Sequence, residues 1–288
     1  MHAPPFAIAH TVEEALSQLA ALGPQARPLA GATWTMRAPL RGEQTADRPL
    51  VALGGIAELH QISRDAGQIA LGALVTHDAL ASWAAEIPAL AGLASAAGKS
   101  ANPGVRRLAT LGGNLATQDF AAADLPPALL VLEAEVELAT EAGRSRLPLA
   151  DYLATRASAP GLITRVVCPD PTMRTAHARL PMRVAGDYPC AILSLAARMA
   201  PDGTVAEARV AVGAVDPVAR RWSALEQALT GQRPDPELLR RLASEATGTF
   251  TPRDGPDVPA AYRLQVLPAL LTRAFAALLS PAAPEVSA

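Results

Sequence analysis

Short apolar runs alternate along the chain with longer stretches whose apolar positions recur at helical spacing. Thr11 to Leu22 reads as an amphipathic helix, with Thr11 at the N-cap, Glu14 at the capping-box position and Gly23 after the end. Arg27 to Ala30 is a short strand running into Gly31, and Pro49 to Leu53 is another, followed by Gly54-Gly55. Together these predict a small opening module of β-α-β type. Gln68 to Leu74 is a strand with Gly72 inside it, the mark of a bulge or a close approach. Thr76 caps a helix through Ala84, and Pro88 to Ala97 predicts a second. Asp124 before Leu125-Pro126-Pro127 is a strong helix start. Glu135 to Thr140 alternates as a strand does, and Glu141 to Arg144 turns it into Ser145 to Leu149.

Leu162 to Cys168 is a strand stopped by Pro169, and Pro169-Asp170-Pro171 is the best candidate domain boundary. Beyond it, Cys190 to Ala200 and Val205 to Val215 form a hairpin around Asp202-Gly203. Ala219 to Thr230, Pro236 to Ala246 and Ala260 to Leu279 carry helical patterns, and Pro281 to Ala288 reads as a frayed end.

Two loops stand out. Thr110-Leu111-Gly112-Gly113-Asn114 sets a di-glycine between a hydroxyl and an amide, and Leu29-Ala30-Gly31-Ala32-Thr33-Trp34-Thr35 is a similar loop upstream. Gly-Asn also suits an ordinary tight turn. Glycine admits positive φ and lets a ligand approach the backbone, and loops of this kind bind anions through N–H groups. That suits a chain with Lys99 as its sole lysine. GxGxxG after a strand and GxxxxGK[ST] are absent, which disfavours Rossmann and P-loop readings.

With 288 residues, half of them hydrophobic, the chain can bury a large core in two or three subdomains. A net charge of −2 gives no electrostatic case for nucleic acid, and no apolar run approaches the roughly 20 residues of a membrane span. Met1 to His10 lacks the basic and apolar regions of a signal peptide, so a cytoplasmic location is expected. Cys168 and Cys190 read as buried free thiols and are too few for an iron–sulfur cluster. The five histidines show no metal spacing, so no metal site is expected. There is no GxSxG elbow and no Cys–His pair, and Asp124 reads as a capping residue. No catalytic residue is assigned, and any chemistry belongs to a cofactor.

From these residues the chain resembles the FAD-binding medium subunits of the molybdenum hydroxylases, the xanthine dehydrogenase and carbon monoxide dehydrogenase group. Ala30 to Thr35 is similar to that family's first flavin loop, Leu71-Gly72-Ala73 to its IGA strand, and Val105-Arg106 with Thr110 to Asn114 to its IRN…TIGGN loop. Asp124-Leu125-Pro126-Pro127-Ala128-Leu129 resembles its DLPPAL helix start. Arg183 with Gly186-Asp187-Tyr188 resembles the opening of its third subdomain, and Ala261-Tyr262-Arg263 its C-terminal EYR. Ala32 replaces the family's second glycine, Trp34 stands where Asp or Ser is usual, and Arg107 replaces an asparagine.

The resemblance implies an α+β chain: a flavin-binding domain of the p-cresol-methylhydroxylase type in two α/β subdomains, residues 1–56 and 57–170. A C-terminal subdomain, residues 171–288, would carry a three-stranded antiparallel sheet plus helices. It implies non-covalent FAD, with contacts at Leu29, Ala30, Gly31, Ala32, Thr33, Trp34, Thr35, Ala73, Ala101, Thr110, Gly112, Gly113, Asn114, Asp124, Leu162 and Arg183. The two loops would hold the pyrophosphate through backbone N–H and side-chain groups, and Asp124 would accept ribityl or ribose hydroxyls. Leu162 and Arg183 would sit near the isoalloxazine or the phosphates. Molybdopterin would lie on a large partner subunit and [2Fe–2S] centres on a small one, in a dimer of heterotrimers. The flavin would collect electrons from those centres for an external acceptor. A stand-alone flavin oxidase and an assembly subunit without FAD are the competing readings.

Overall fold

The computed structural model describes residues 6–42, 48–159, 161–182, 188–255 and 258–280. In chain order its first elements are β1 (Phe6–Ile8), α1 (Val12–Leu22), β2 (Arg27–Leu29), β3 (Leu50–Ala52), β4 (Ile62–Asp65), β5 (Gln68–Gly72), α2 (His77–Ala85), α3 (Ala91–Lys99), α4 (Pro103–Arg106) and α5 (Leu111–Ala116). Then come α6 (Leu125–Leu130), β6 (Glu135–Thr140), β7 (Gly143–Pro148), α7 (Leu149–Thr155) and β8 (Leu162–Pro169). The rest are β9 (Arg174–Pro181), β10 (Pro189–Met199), β11 (Val205–Gly213), β12 (Arg220–Arg221), α8 (Ser223–Leu229), α9 (Pro236–Ala246), α10 (Ala260–Gln265) and α11 (Leu267–Leu279). The expected frayed end after Ser280 lies outside the described residues.

The chain forms two units: Met1–Leu80 with Ala101–Asp119 and Glu133–Asp170, and Ala81–Ser100 with Phe120–Leu132 and Pro171–Ala288. The first unit opens on a parallel sheet of order β1-β3-β2. Thr11 Oγ1 caps α1 by accepting from Glu14 N at 3.1 Å. The return bond expected of a capping box shifts by one residue, because the Glu14 carboxylate accepts from His10 N at 2.8 Å. Val12 and Ala15 of α1 pack with Val51, Leu53, Ile56, Leu59, Leu74 and Leu162.

The same unit holds an antiparallel sheet of order β4-β5-β8-β6-β7. Gly72 closes β5 against Leu59, whose carbonyl would collide with a Cβ there, which is the close approach expected of a glycine in a strand. On this sheet Glu137 binds Arg146 and Arg165 at 3.2 and 3.0 Å and accepts from Thr164 Oγ1 at 2.8 Å. Arg144 forks onto Glu58 with two bonds of 2.8 Å. The Arg144 hydrogen bond holds the Glu58 carboxyl below the usual range. Burial pushes Glu137 up, but the Thr164 and Arg146 bonds and the Arg165 charge outweigh it and hold Glu137 low.

Both carboxyls therefore contribute stability that is full above their ordinary value of 4.5 and is lost as pH falls through the lowered folded values. The melting temperature should drop on acidification across this window. Glu137→Gln should flatten the drop in melts recorded between about pH 3 and pH 7.

The second unit is built on an antiparallel sheet of order β12-β11-β10-β9. It has four strands rather than the three implied by resemblance, because Arg220–Arg221 adds a short edge. The helix expected from Ala219 therefore starts only at Ser223. The Ala260 to Leu279 pattern is two helices, broken at Val266 ahead of Pro268 near the start of α11.

One face of this sheet carries Ala176, Ala178, Leu193, Leu195, Val210 and Val212 into a core shared with α8, α9 and α11. The other face is covered by α3 and α6. A Cβ at Gly92 would meet Thr175 Oγ1 and Ala176 N at 2.9 Å, and one at Gly213 would meet Pro127 at 3.2 Å. Cover on both faces explains why β10 is buried over nearly its whole length instead of alternating. Both cysteines are free and buried, and burial pushes the Cys168 thiol up to about 12.

Candidate cofactor site

The two singled-out loops come together in the first unit. Beyond β2 the chain turns through Ala30 to Trp34 into the 3₁₀ turn Thr35–Arg41. A Cβ at Gly31 would fall on the Leu108 carbonyl and lie 3.3 Å from Ala109 Cα. Only glycine permits that approach, which sets the first loop against the residues leading into the second. Ala32 holds φ +60°, the left-handed conformation usually left to glycine. Among the described residues, the N–H groups of Ala30, Gly31, Ala32 and Thr33 reach no protein acceptor. A left-handed residue within a run of uncommitted donors is how backbone builds an anion-binding concavity.

The second loop is the first turn of α5, and its glycines do not take positive φ. Thr110 is the N-cap, and its Oγ1 accepts from Gly113 N at 3.2 Å. Leu111 N and Gly112 N donate to the carbonyls of Val75 and Ala73 at 2.9 and 2.8 Å, and Thr76 bridges Thr110. The glycines are needed for closeness instead, since a Cβ at Gly112 would meet Ala73 Cβ at 2.9 Å and one at Gly113 would meet Thr110 Oγ1 at 2.9 Å. The expectation that backbone N–H groups here cradle a pyrophosphate is thus corrected for residues 111–113, whose donors are committed within the protein. What this turn offers is Asn114 Oδ1, which is buried without a partner. Arg156 donates to Leu115 O at 2.9 Å and fastens the far end of α5.

Thr110→Ala should cost about 1 kcal/mol, the usual loss of an N-cap, read as a lowered unfolding midpoint in urea.

The pattern of the "FAD binding domain in molybdopterin dehydrogenase" family matches residues 4–171. The chain belongs to the FAD-binding medium subunits of the molybdenum hydroxylases. The "CO dehydrogenase flavoprotein C-terminal domain" matches residues 177–278 of this medium subunit. It is 29% identical to the 6-hydroxypseudooxynicotine dehydrogenase complex subunit alpha of Paenarthrobacter nicotinovorans, over 97% of this chain and 95% of that one. Among solved structures it superposes on a chain of carbon monoxide dehydrogenase from Hydrogenophaga pseudoflava with a TM-score of 0.87 and 28% identity, covering 96% and 98% of the two chains. It superposes equally widely on a chain of quinoline 2-oxidoreductase from Pseudomonas putida 86, with a TM-score of 0.86 and 26% identity. The medium subunit is part of an oxidoreductase, and its cofactor is FAD. The uncommitted donors of residues 30–33 and the orphaned Asn114 acceptor fit such a group.

The other expected contacts fall in different settings. Ala73 is pinned by its N–H to Thr164 O at 3.0 Å, and the Ala101 carbonyl accepts from Arg106 Nη1 at 2.6 Å. Leu162 packs in the apolar cluster with Val12 and Leu74. Arg183 lies outside the described residues, as do Gly186 and Asp187. Asp124, in the second unit, precedes α6, but its side chain makes no cap. Its Oδ1 lies 3.2 Å from His177 Nε2 and accepts from Arg179 Nε at 3.0 Å. The capping role is corrected, since burial at 1% exposure binds the carboxylate to the guanidinium instead. Sequence reading missed His177 and Arg179. The signal was there in Arg174–Pro181, where polar Thr175, His177 and Arg179 alternate with Ala176, Ala178 and Leu180.

Among the described residues no helix is long and apolar enough to cross a membrane.

Proposed function

We propose that this medium subunit receives electrons from [2Fe–2S] centres of a small partner subunit and delivers them to an external acceptor. A large partner subunit would carry molybdopterin and oxidise the organic substrate, in a cytoplasmic dimer of heterotrimers. The reading rests above all on the run of uncommitted N–H donors at Ala30 to Thr33, beside the glycine-tight start of α5. The names of two relatives, a dehydrogenase complex subunit and a hydroxylase medium subunit, support the multi-subunit arrangement. FAD, when bound, supplies a centre that takes up electrons one or two at a time.

The chain's own residues hold and orient it. Ala30, Gly31, Ala32 and Thr33 donate to the pyrophosphate. Asn114 Oδ1 accepts from a donor of the cofactor. Asp124 accepts a ribityl or ribose hydroxyl. Leu29, Trp34, Thr35, Ala73, Ala101, Thr110, Gly112, Gly113, Leu162 and Arg183 complete the set of proposed contacts. Residues 1–56 and 57–170 are read as the two flavin-binding subdomains and 171–288 as the C-terminal one. Ala32 does not favour the FAD-free alternative: it already adopts φ +60°, at a cost of roughly 1–2 kcal/mol for a side-chain-bearing residue.

The test uses the assembled complex, reduced with dithionite, freed of excess reductant and then mixed with O₂, NAD⁺ or a soluble quinone as acceptor. Stripping FAD should leave the iron–sulfur centres reducible and abolish acceptor reduction, and added FAD should restore it. Unchanged acceptor reduction after stripping would refute the proposal.

A further inference from the structure

The first loop keeps its shape against a wall, and that wall has supports of its own, all within the first unit. The wall is the Leu108 carbonyl, on which a Cβ at Gly31 would fall. Residues 30–33 are each partly exposed, so the loop is not sealed inside protein. Ala32, next along, holds φ +60°. A side-chain-bearing residue persists there only while its surroundings over-determine it. A carbonyl pressed against the preceding residue is a constraint of that kind.

Leu108 belongs to a turn that is fixed at both ends. Downstream, the Ala109 carbonyl accepts from His77 N at 2.9 Å, and Thr76 bridges Thr110. Upstream, Asn102 is the N-cap of α4, and its Oδ1 accepts from Val105 N at 3.0 Å. Val105 O accepts in turn from Leu108 N and Ala109 N at 3.0 and 2.7 Å. The residue that Asn102 caps is thus the one to which Leu108 is tied. Arg106 reaches back across the same turn, and its Nη1 donates to the Ala101 carbonyl at 2.6 Å. That side chain adds little stability, because its Nε is enclosed and meets no acceptor among the described residues. Enclosing an N–H without a partner offsets the bond made by Nη1. What the bond does is fix the turn.

We infer that Asn102 and Arg106 are positioning residues for FAD. They hold the turn of residues 102–109 so that Leu108 keeps the N–H groups of the first loop aimed at the pyrophosphate. This rests on the reading above that those groups donate to it. Neither side chain touches the cofactor in this arrangement. A hydrogen bond weakens steeply as its donor turns off line, so a loosened wall weakens the hold on the phosphates without emptying the site.

The test measures FAD affinity of the full chain by flavin fluorescence, and the phosphorus NMR resonances of the pyrophosphate at saturating FAD beside the visible flavin band. In the unsubstituted chain those resonances should be shifted from free FAD. In Asn102→Ala and Arg106→Met, FAD should bind roughly three- to tenfold more weakly, about the worth of one hydrogen bond. The phosphorus resonances should move back toward free FAD while the flavin band holds. Asn102→Ser, which caps equally well, should restore both. In the Arg106→Met background the penalty of Gly31→Ala should shrink, since a loosened wall yields to the added methyl. Unchanged affinity and resonances in both variants would overturn the inference alone. So would a flavin band that moves together with the phosphorus resonances, the mark of a merely structural role. Phosphorus resonances of free FAD in the saturated unsubstituted chain would remove the pyrophosphate role of the first loop as well. If the unsubstituted chain binds no FAD, the proposed function falls first. Should Asn102→Ala not fold, Arg106→Met carries the same comparison.

Discussion

Asp124→Ala should destabilise the second unit by about 3–5 kcal/mol, the usual cost of leaving a buried charge without its partner. Arg179 would lose the carboxylate that its Nε meets at 3.0 Å, and His177 Nε2 would lose the acceptor it meets at 3.2 Å, among buried side chains. Asp124→Asn keeps the shape but removes the charge, so it should fall between the two. Urea unfolding read by circular dichroism checks both, with the midpoint shift interpreted only while the slope stays constant. A shift of less than 1 kcal/mol for Asp124→Ala would mean that water replaces the carboxylate beside Arg179.

Gly31→Ala has the larger expected consequence for the cofactor. A methyl group there meets the backbone carbonyl of Leu108, which has no flexible end to yield, so the loop itself must move. Overpacking of this kind costs about 1–3 kcal/mol. Charged to the loop that holds the uncommitted donors, it should weaken FAD binding by roughly ten- to a hundredfold. Ala32→Gly is the control, because glycine takes positive φ freely and the loop keeps its shape, so FAD affinity should hold or rise. Equilibrium titration with FAD separates the two variants. Equal affinity for Gly31→Ala and the unsubstituted chain would remove the first loop from the binding site.

Much of the fold was legible because its signals are local. Thr11 before α1 and the turn at Asp202-Gly203 each act within a few residues, and the helix and hairpin stand where those signals put them. The misreadings have non-local causes. The di-glycine turn looks like a loop because nothing nearby reveals that Leu111 N and Gly112 N will find Val75 and Ala73 some 36 to 39 residues earlier in the chain. The glycines there are about contact across the fold, not about φ. Asp124 has the local look of an N-cap, and only a strand more than 50 residues away shows where its charge goes. In the same way, β12 is a two-residue strand defined by its partner β11, inside a stretch whose own apolar spacing is helical. In the first loop Gly31 and Ala32 each have a conformational or steric requirement that few residue types meet. The alternation of Thr175, His177 and Arg179 along β9 is visible in sequence, but the carboxylate that meets it more than 50 residues earlier is not.

The most direct test of the account is the visible spectrum of the gently purified chain, before and after adding FAD. Flavin absorption bands, with FAD released in equimolar amount on denaturation and both weakened by Gly31→Ala, are the predicted result. A colourless chain that takes up no FAD, alone or within its complex, would contradict it.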